Sequence, residues 1–125
     1  MPRSAVRPVI SDAAVVTTAT LRAATRLGVS NKVLARIVGV SEASVSRMSS
    51  GAYQFAPGEK PFELAVLFIR LYRSLDALVD GDEAVAQAWL RNPNIALGDA
   101  PLALIQTIPG LVNTLAYLDA RRALA

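Results

Sequence analysis

The longest apolar period in the chain runs from about Pro61 to Val79. Leu64, Leu67, Phe68, Leu71, Leu75 and Leu78 recur mostly at steps of three and four, which marks one helical face. A second set, Ala65, Ile69 and Tyr72, lies beside it. A helix apolar on two sides is expected to be covered on both, as the hub of a core, as a dimer interface, or as both. Upstream, an Ala-, Leu- and Val-rich run from about Asp12 to Leu27 predicts a helix, with Gly28 as its stop. Thr17, Thr18, Thr20 and Thr25 lower its propensity and leave its start open. Ser30 caps a second helix to about Val38, Gly39-Val40 makes a tight turn, and Ser41 caps a third helix that ends near Ser50-Gly51. Gly51 to Pro61 holds two glycines and two prolines with Tyr53 and Phe55, and reads as a linker with anchoring aromatics.

Downstream of Val79, Asp80-Gly81-Asp82 ends the long helix and caps another over about Glu83 to Leu90. Arg91-Asn92-Pro93-Asn94 breaks the chain. Asp99 is expected to cap a short helix with Pro101 in its first turn, reaching about Ile108. Pro109-Gly110 then divides it from a last helix, about Leu111 to Arg122. No strand-period pattern of useful length and no internal repeat is present. The expected fold class is all-α with about seven helices. Residues 1–51 form an N-terminal helical bundle with a flexible arm over the first residues, 52–60 a linker, and 61–125 a second helical domain.

Composition narrows the chemistry. At 125 residues and 53% hydrophobic, the chain is able to bury a core. It has no cysteine and no histidine, which removes disulfides, thiolate metal sites and every serine–histidine or cysteine–histidine mechanism. The densest carboxylate group, Asp76, Asp80, Asp82 and Glu83, sits at a helix junction where capping and solvation explain it. No glycine-rich phosphate loop is present. No enzyme activity, cofactor or metal is expected. No signal peptide is visible, and Glu63, Arg70, Arg73 and Asp76 inside the most apolar segment argue against a membrane span. The chain reads as cytoplasmic. Charge is unevenly placed. Residues 1–51 carry seven basic against two acidic side chains, net +5, whereas residues 52–125 carry six against eight, net −2. The halves are therefore expected to meet different partners.

Residues 31–50 carry a pattern of their own. Ala35 is small where two helices would cross, and Gly39 follows four residues later at the turn, where positive φ is cheap only for glycine. Leu34, Val38, Val40, Val45 and Met48 fall where the two helices would pack. This segment resembles the helix-turn-helix of phage-repressor-like regulators of the Xre type. The resemblance places the third helix in a DNA major groove. From its N-terminal end it offers Ser41, Glu42, Ala43, Ser46 and Arg47 to the bases, with Ser50 at the far end. Arg47 presents two donors suited to guanine, and Glu42 an acceptor suited to cytosine. Lys32 and Arg36, and also Arg26, are placed for phosphates. A plainer reading makes Val40, Val45 and Met48 ordinary core and Arg47 a solvated side chain. With one basic residue on the reading helix, a monomer is expected to bind poorly, so two half-sites call for a dimer or a larger complex.

The second half carries a further resemblance. Glu63-Leu64-Ala65, Ile69 to Asp76, Ala88-Trp89-Leu90, Asn94, Pro101-Leu102, Ile105, Gly110 and Tyr117-Leu118-Asp119 occur in this order. Their order and spacing are similar to the toxin-binding domain of Xre/MbcA/ParS-type antitoxins, over about residues 60–122. The resemblance implies an antitoxin of a type II toxin–antitoxin module that binds and inhibits a NAD-consuming RES-domain toxin by covering its active-site entrance. It also implies binding to double-stranded operator DNA for autoregulation, as a homodimer or a toxin–antitoxin assembly. The toxin-binding residues it implies are Trp89, Leu102, Ile105, Val112, Leu115, Tyr117, Leu118, Arg121 and Arg122. On the residues alone, Trp89 serves equally as a core side chain, and the paired arginines as a solvated helix end. Where relatives continue into a short glycine-containing tail, this sequence reads Arg122-Ala123-Leu124-Ala125. The rival readings are a solitary dimeric regulator with no toxin, and an adaptor whose helix-turn-helix no longer binds DNA.

Overall fold

The computed structural model describes residues 11–124, so the expected N-terminal arm, with Arg3 and Arg7, lies outside the described residues. Seven helices follow one another: α1 (Asp12–Leu27), α2 (Asn31–Val38), α3 (Glu42–Ser49), α4 (Lys60–Leu78), α5 (Glu83–Arg91), α6 (Pro101–Leu104) and α7 (Ile108–Leu124). Among the described residues there is no strand, only an isolated bridge between Asn94 and Asp99. Among the described residues no helix is long and apolar enough to cross a membrane.

The caps account for most boundaries. Ser11 accepts from the Ala14 N–H at 3.1 Å and starts α1. The threonines of α1 are accommodated because Thr17, Thr20 and Thr25 donate their hydroxyls to carbonyls four residues back. Ser30 and Ser41 cap α2 and α3 in the same way as Ser11. Gly28 and Gly39 close α1 and α2 at φ 66° and 74°, the left-handed region that favours glycine. Asp82 accepts from the Val85 N–H and starts α5.

Two expectations need correction. Asp99 does not cap α6: Ala100 occupies the N-cap, and Asp99 Oδ1 accepts from the adjacent Ala100 N–H. The Asp99 carbonyl is instead taken by the Asn94 N–H at 3.1 Å, which closes the preceding loop. Nor does Pro109-Gly110 divide two helices, because both residues lie in the first turn of α7. Proline there lacks only an N–H that a helix start leaves free. Thr107 acts as the cap, its Oγ1 accepting from Gly110 N–H and its carbonyl from Leu111 N–H.

One core unites these elements. α4 packs against α7, α1 and α2. Phe68, Leu71 and Leu75 of α4 are fully buried with Leu27, Leu34, Leu90, Ile105, Leu111 and Leu118. The segment between α3 and α4 is tied to this core: Phe55 is buried, its N–H donates to Thr17 Oγ1 at 3.0 Å, and Tyr53 meets its ring edge-on. On the far side, α5 grips the end of α1. Arg91 donates to the carbonyls of Leu27 and Gly28 at 3.2 and 2.7 Å, and Gln87 Nε2 donates to that of Arg26. These are carbonyls that a helix terminus leaves without intrahelical partners.

Candidate functional site

The helix-turn-helix pair is built as its spacing predicts. Ala35 is buried at the α2–α3 crossing among Leu34, Val38, Val45 and Met48. That packing turns Glu42, Ala43, Ser46 and Arg47 of α3 outward, all exposed, with Ser41 exposed at the N-terminus. Ser41 is committed to its cap, accepting from Ser44 N–H and donating to Ser44 Oγ. Arg47 Nη2 donates to that same Oγ at 3.2 Å, which steadies the guanidinium along the helix. Ser50 Oγ donates to the Arg47 carbonyl at the other end. Lys32 and Arg36 stand exposed one turn apart on α2. Arg36 lines a cleft with Lys60, the first residue of α4. Lys60 precedes the apolar period, and no signal in the sequence marks it. Arg26, at the end of α1, pairs with Glu83 of α5 at 3.8 Å, and both side chains stay about half exposed.

The residues expected to meet a toxin separate into three groups. Trp89 of α5 and Tyr117 of α7 stack with centroids 6.4 Å apart and planes 18° apart. Arg121 lies over the Tyr117 ring at 5.7 Å and donates to its Oη at 2.9 Å. These three line a cleft of about 190 Å³ floored by Leu75, Leu78, Val79 and Leu118. Half-buried aromatics with polar edges are the residue types that anchor protein interfaces.

The second group is interior. Ile105, Leu115 and Leu118 are 0%, 5% and 1% exposed, so their side chains shape the surface from beneath. The buried stripe of α7 is Leu111, Thr114, Leu115 and Leu118, which leaves Val112 one residue off the stripe and exposed. The third group lies apart from the cleft. Val112 is nine residues from Arg121, about 14 Å along the helix, and Leu102 is half-buried on α6. Arg122 is not a free helix end. It donates to Ser74 Oγ at 3.2 Å, Ser74 donates to Asp119 Oδ1 at 2.7 Å, and Arg70 pairs with Asp119 at 3.5 Å. This network fastens α7 to α4. Among the described residues no group of three or more histidine, cysteine or acidic side chains could hold a metal.

A chain with a helix-turn-helix at one end and an aromatic cleft on a helical layer at the other has two separate surfaces for two kinds of partner. Comparison with known families matches both parts of the chain. Residues 10–70 match the antitoxin Xre-like helix-turn-helix domain. Residues 74–123 match the antitoxin Xre/MbcA/ParS C-terminal toxin-binding domain. Among curated proteins, none matches the chain significantly. The two family matches follow one another with only residues 71–73 between them, and the chain belongs to the Xre/MbcA/ParS antitoxins. It is the antitoxin of a toxin–antitoxin module and carries a DNA-binding helix-turn-helix.

Proposed function

We propose that this antitoxin silences a NAD-consuming RES-domain toxin by covering its active-site entrance, and that as a homodimer in the cytoplasm it binds its own operator to autoregulate. The observation that carries the first half is the Trp89–Tyr117–Arg121 cleft, a preformed aromatic recess inside the matched toxin-binding segment. Trp89, Tyr117 and Arg121 make the direct contacts, with Leu102 and Val112 extending the surface. Ile105, Leu115, Leu118 and Arg122 hold it in shape. On DNA, Arg47 reads guanine, Glu42 accepts from cytosine, and Ser46 and Ala43 pack against base edges. Lys32, Arg36 and Lys60 meet phosphates, which fixes the register of α3 in the groove.

The test is co-purification of the chain with the product of the adjacent gene, followed by NAD turnover of that product with and without the chain. The expected result is a stable complex in which NAD loss stops, and Trp89→Ala with Arg121→Glu restores NAD loss. A neighbour that neither binds nor consumes NAD refutes the toxin assignment. Retained operator binding would then favour a solitary regulator.

A further inference from the structure

The outer face formed by α1 and α4 lies beside the α4–α7 seam that Arg70 and Asp119 close, and its apolar middle is partly exposed. Val15 is 51% exposed, and it lines one cleft with Val16, Ala19, Val66 and Ile69 together with Arg70 and Arg73. The next cleft is lined by Val15, Ala19, Arg22 and Arg73. Each helix contributes an outward stripe at steps of three, four and three: Asp12, Val15, Ala19 and Arg22 on α1, and Glu63, Val66, Arg70 and Arg73 on α4. Val15 shares a cleft with Val66, and Arg22 shares one with Arg73, so the two stripes run side by side in the same sense. The face therefore has an acidic end and a basic end with an apolar middle. Among the described residues the only ion pairs are Arg26–Glu83 and Arg70–Asp119, so Asp12, Glu63, Arg22 and Arg73 have no opposite charge in contact.

This pattern is complementary to itself. A two-fold axis lying in the face and crossing both helices at mid-stripe brings each helix antiparallel to its own copy. Asp12 then meets Arg22 of the second copy, Val15 meets Ala19, Glu63 meets Arg73, and Val66 lies along the stem of Arg70. One axis can serve both helices because Val15 shares a cleft with Val66 and Arg22 one with Arg73. We infer that this face is the homodimer interface of the antitoxin, with a second copy of the chain as its occupant. The inference rests on the homodimer reading above and supplies its location and register. The chemistry fits no other single partner as well, because a wholly acidic or wholly basic surface would satisfy only half of it.

Sedimentation equilibrium of the chain alone, without toxin or DNA, tests it over a micromolar concentration range. The expected species has the mass of two chains, and it dissociates more readily as salt is raised. Arg22→Asp with Arg73→Glu should weaken the dimer roughly tenfold or more, because four symmetry-related pairs become repulsive. Asp12→Arg with Glu63→Arg should do the same. All four substitutions together should restore the wild-type constant to within about threefold, since every pair is opposite again. All four substituted side chains are exposed, and circular dichroism confirms that each variant keeps its helices. A wild-type chain that stays monomeric overturns both the homodimer and this face. A dimer indifferent to the reversals, or a helical fourfold variant that fails to recover, overturns the face alone. Neither result touches the NAD assay, so failure here and failure of the toxin assignment are distinguishable.

Discussion

Replacing Gly110 by alanine sets two physical expectations of opposite sign against each other. Gly110 lies in the first turn of α7 with an ordinary negative φ, and it is not among the residues of positive φ. Helix propensity alone predicts that alanine there stabilises the chain by up to about 1 kcal/mol. Packing predicts the reverse. A Cβ built on Gly110 falls 1.8 Å from the Leu104 carbonyl oxygen, 2.6 Å from its carbon and 2.9 Å from Thr107 Oγ1. Ordinary contact lies near 3.5 Å, so the end of α6 must move more than about 1.5 Å from the start of α7. The obstacle is backbone and cannot rotate aside. Moving it strains the bonds from Gly110 and Leu111 to Thr107 and pulls Ile105 and Leu111 from a core where both are fully buried. Overpacking alone costs about 1–3 kcal/mol, and the lost cap adds about 1 kcal/mol. The expected loss is about 3 kcal/mol or more, a fall in Tm of about 10 °C for a chain of this size. Urea titration followed by circular dichroism measures it. A Gly110→Ala variant as stable as the parent refutes the close approach of α6 to α7.

Arg91→Ala should lower stability by about 1–2 kcal/mol in urea titration, because it strips the Leu27 and Gly28 carbonyls of their charged donor. Arg91→Lys should recover little of it, since one ammonium cannot reproduce the fork that spans both carbonyls. Thr114→Val should stabilise the chain by about 1 kcal/mol in the same titration, as the Thr114 hydroxyl is fully buried with no hydrogen-bond partner among the described residues. Lys60→Ala should weaken operator binding equally for matched and mismatched sites and reduce the slope of log affinity against log salt by about 1 in fluorescence anisotropy. Arg47→Ala should instead cost about 1–3 kcal/mol at the matched site and narrow the gap to a mismatched one.

The sequence was most legible where structure is set locally. Ser30, Ser41 and Asp82 each cap the helix expected of them, and Gly28 and Gly39 stop the two before them, because a cap depends only on a few neighbouring atoms. The helix-turn-helix followed from the same local signals. What depended on distant neighbours was hidden. Pro109-Gly110 reads as a break in one dimension, yet it is a helix start that lets α6 lie almost on α7. Leu111, Val112, Leu115 and Leu118 are all apolar, and only the position of α4 decides that Val112 faces outward while Thr114 faces in. Arg26 and Arg122 looked like free cations until the fold brought Glu83 to one and Ser74 to the other. Of the aromatic cleft, the sequence offered the three residues but not their stacking, which needs α5 and α7 side by side.

The grip of α5 on the end of α1 has a consequence for how such antitoxins diversify. Arg91 and Gln87 hold the carbonyls of Arg26, Leu27 and Gly28, two residues before the serine that caps α2. Trp89, on the same short helix, faces the aromatic cleft. A gene fusion that joined this helix-turn-helix to a relative's toxin-binding segment would bring in a foreign α5 against the end of α1. Unless that helix carried matching donors, the recombinant would lose the clamp along with the old specificity. Exchange of whole segments is thus penalised, whereas substitutions on the outer sides of α5 and α7 leave the clamp intact.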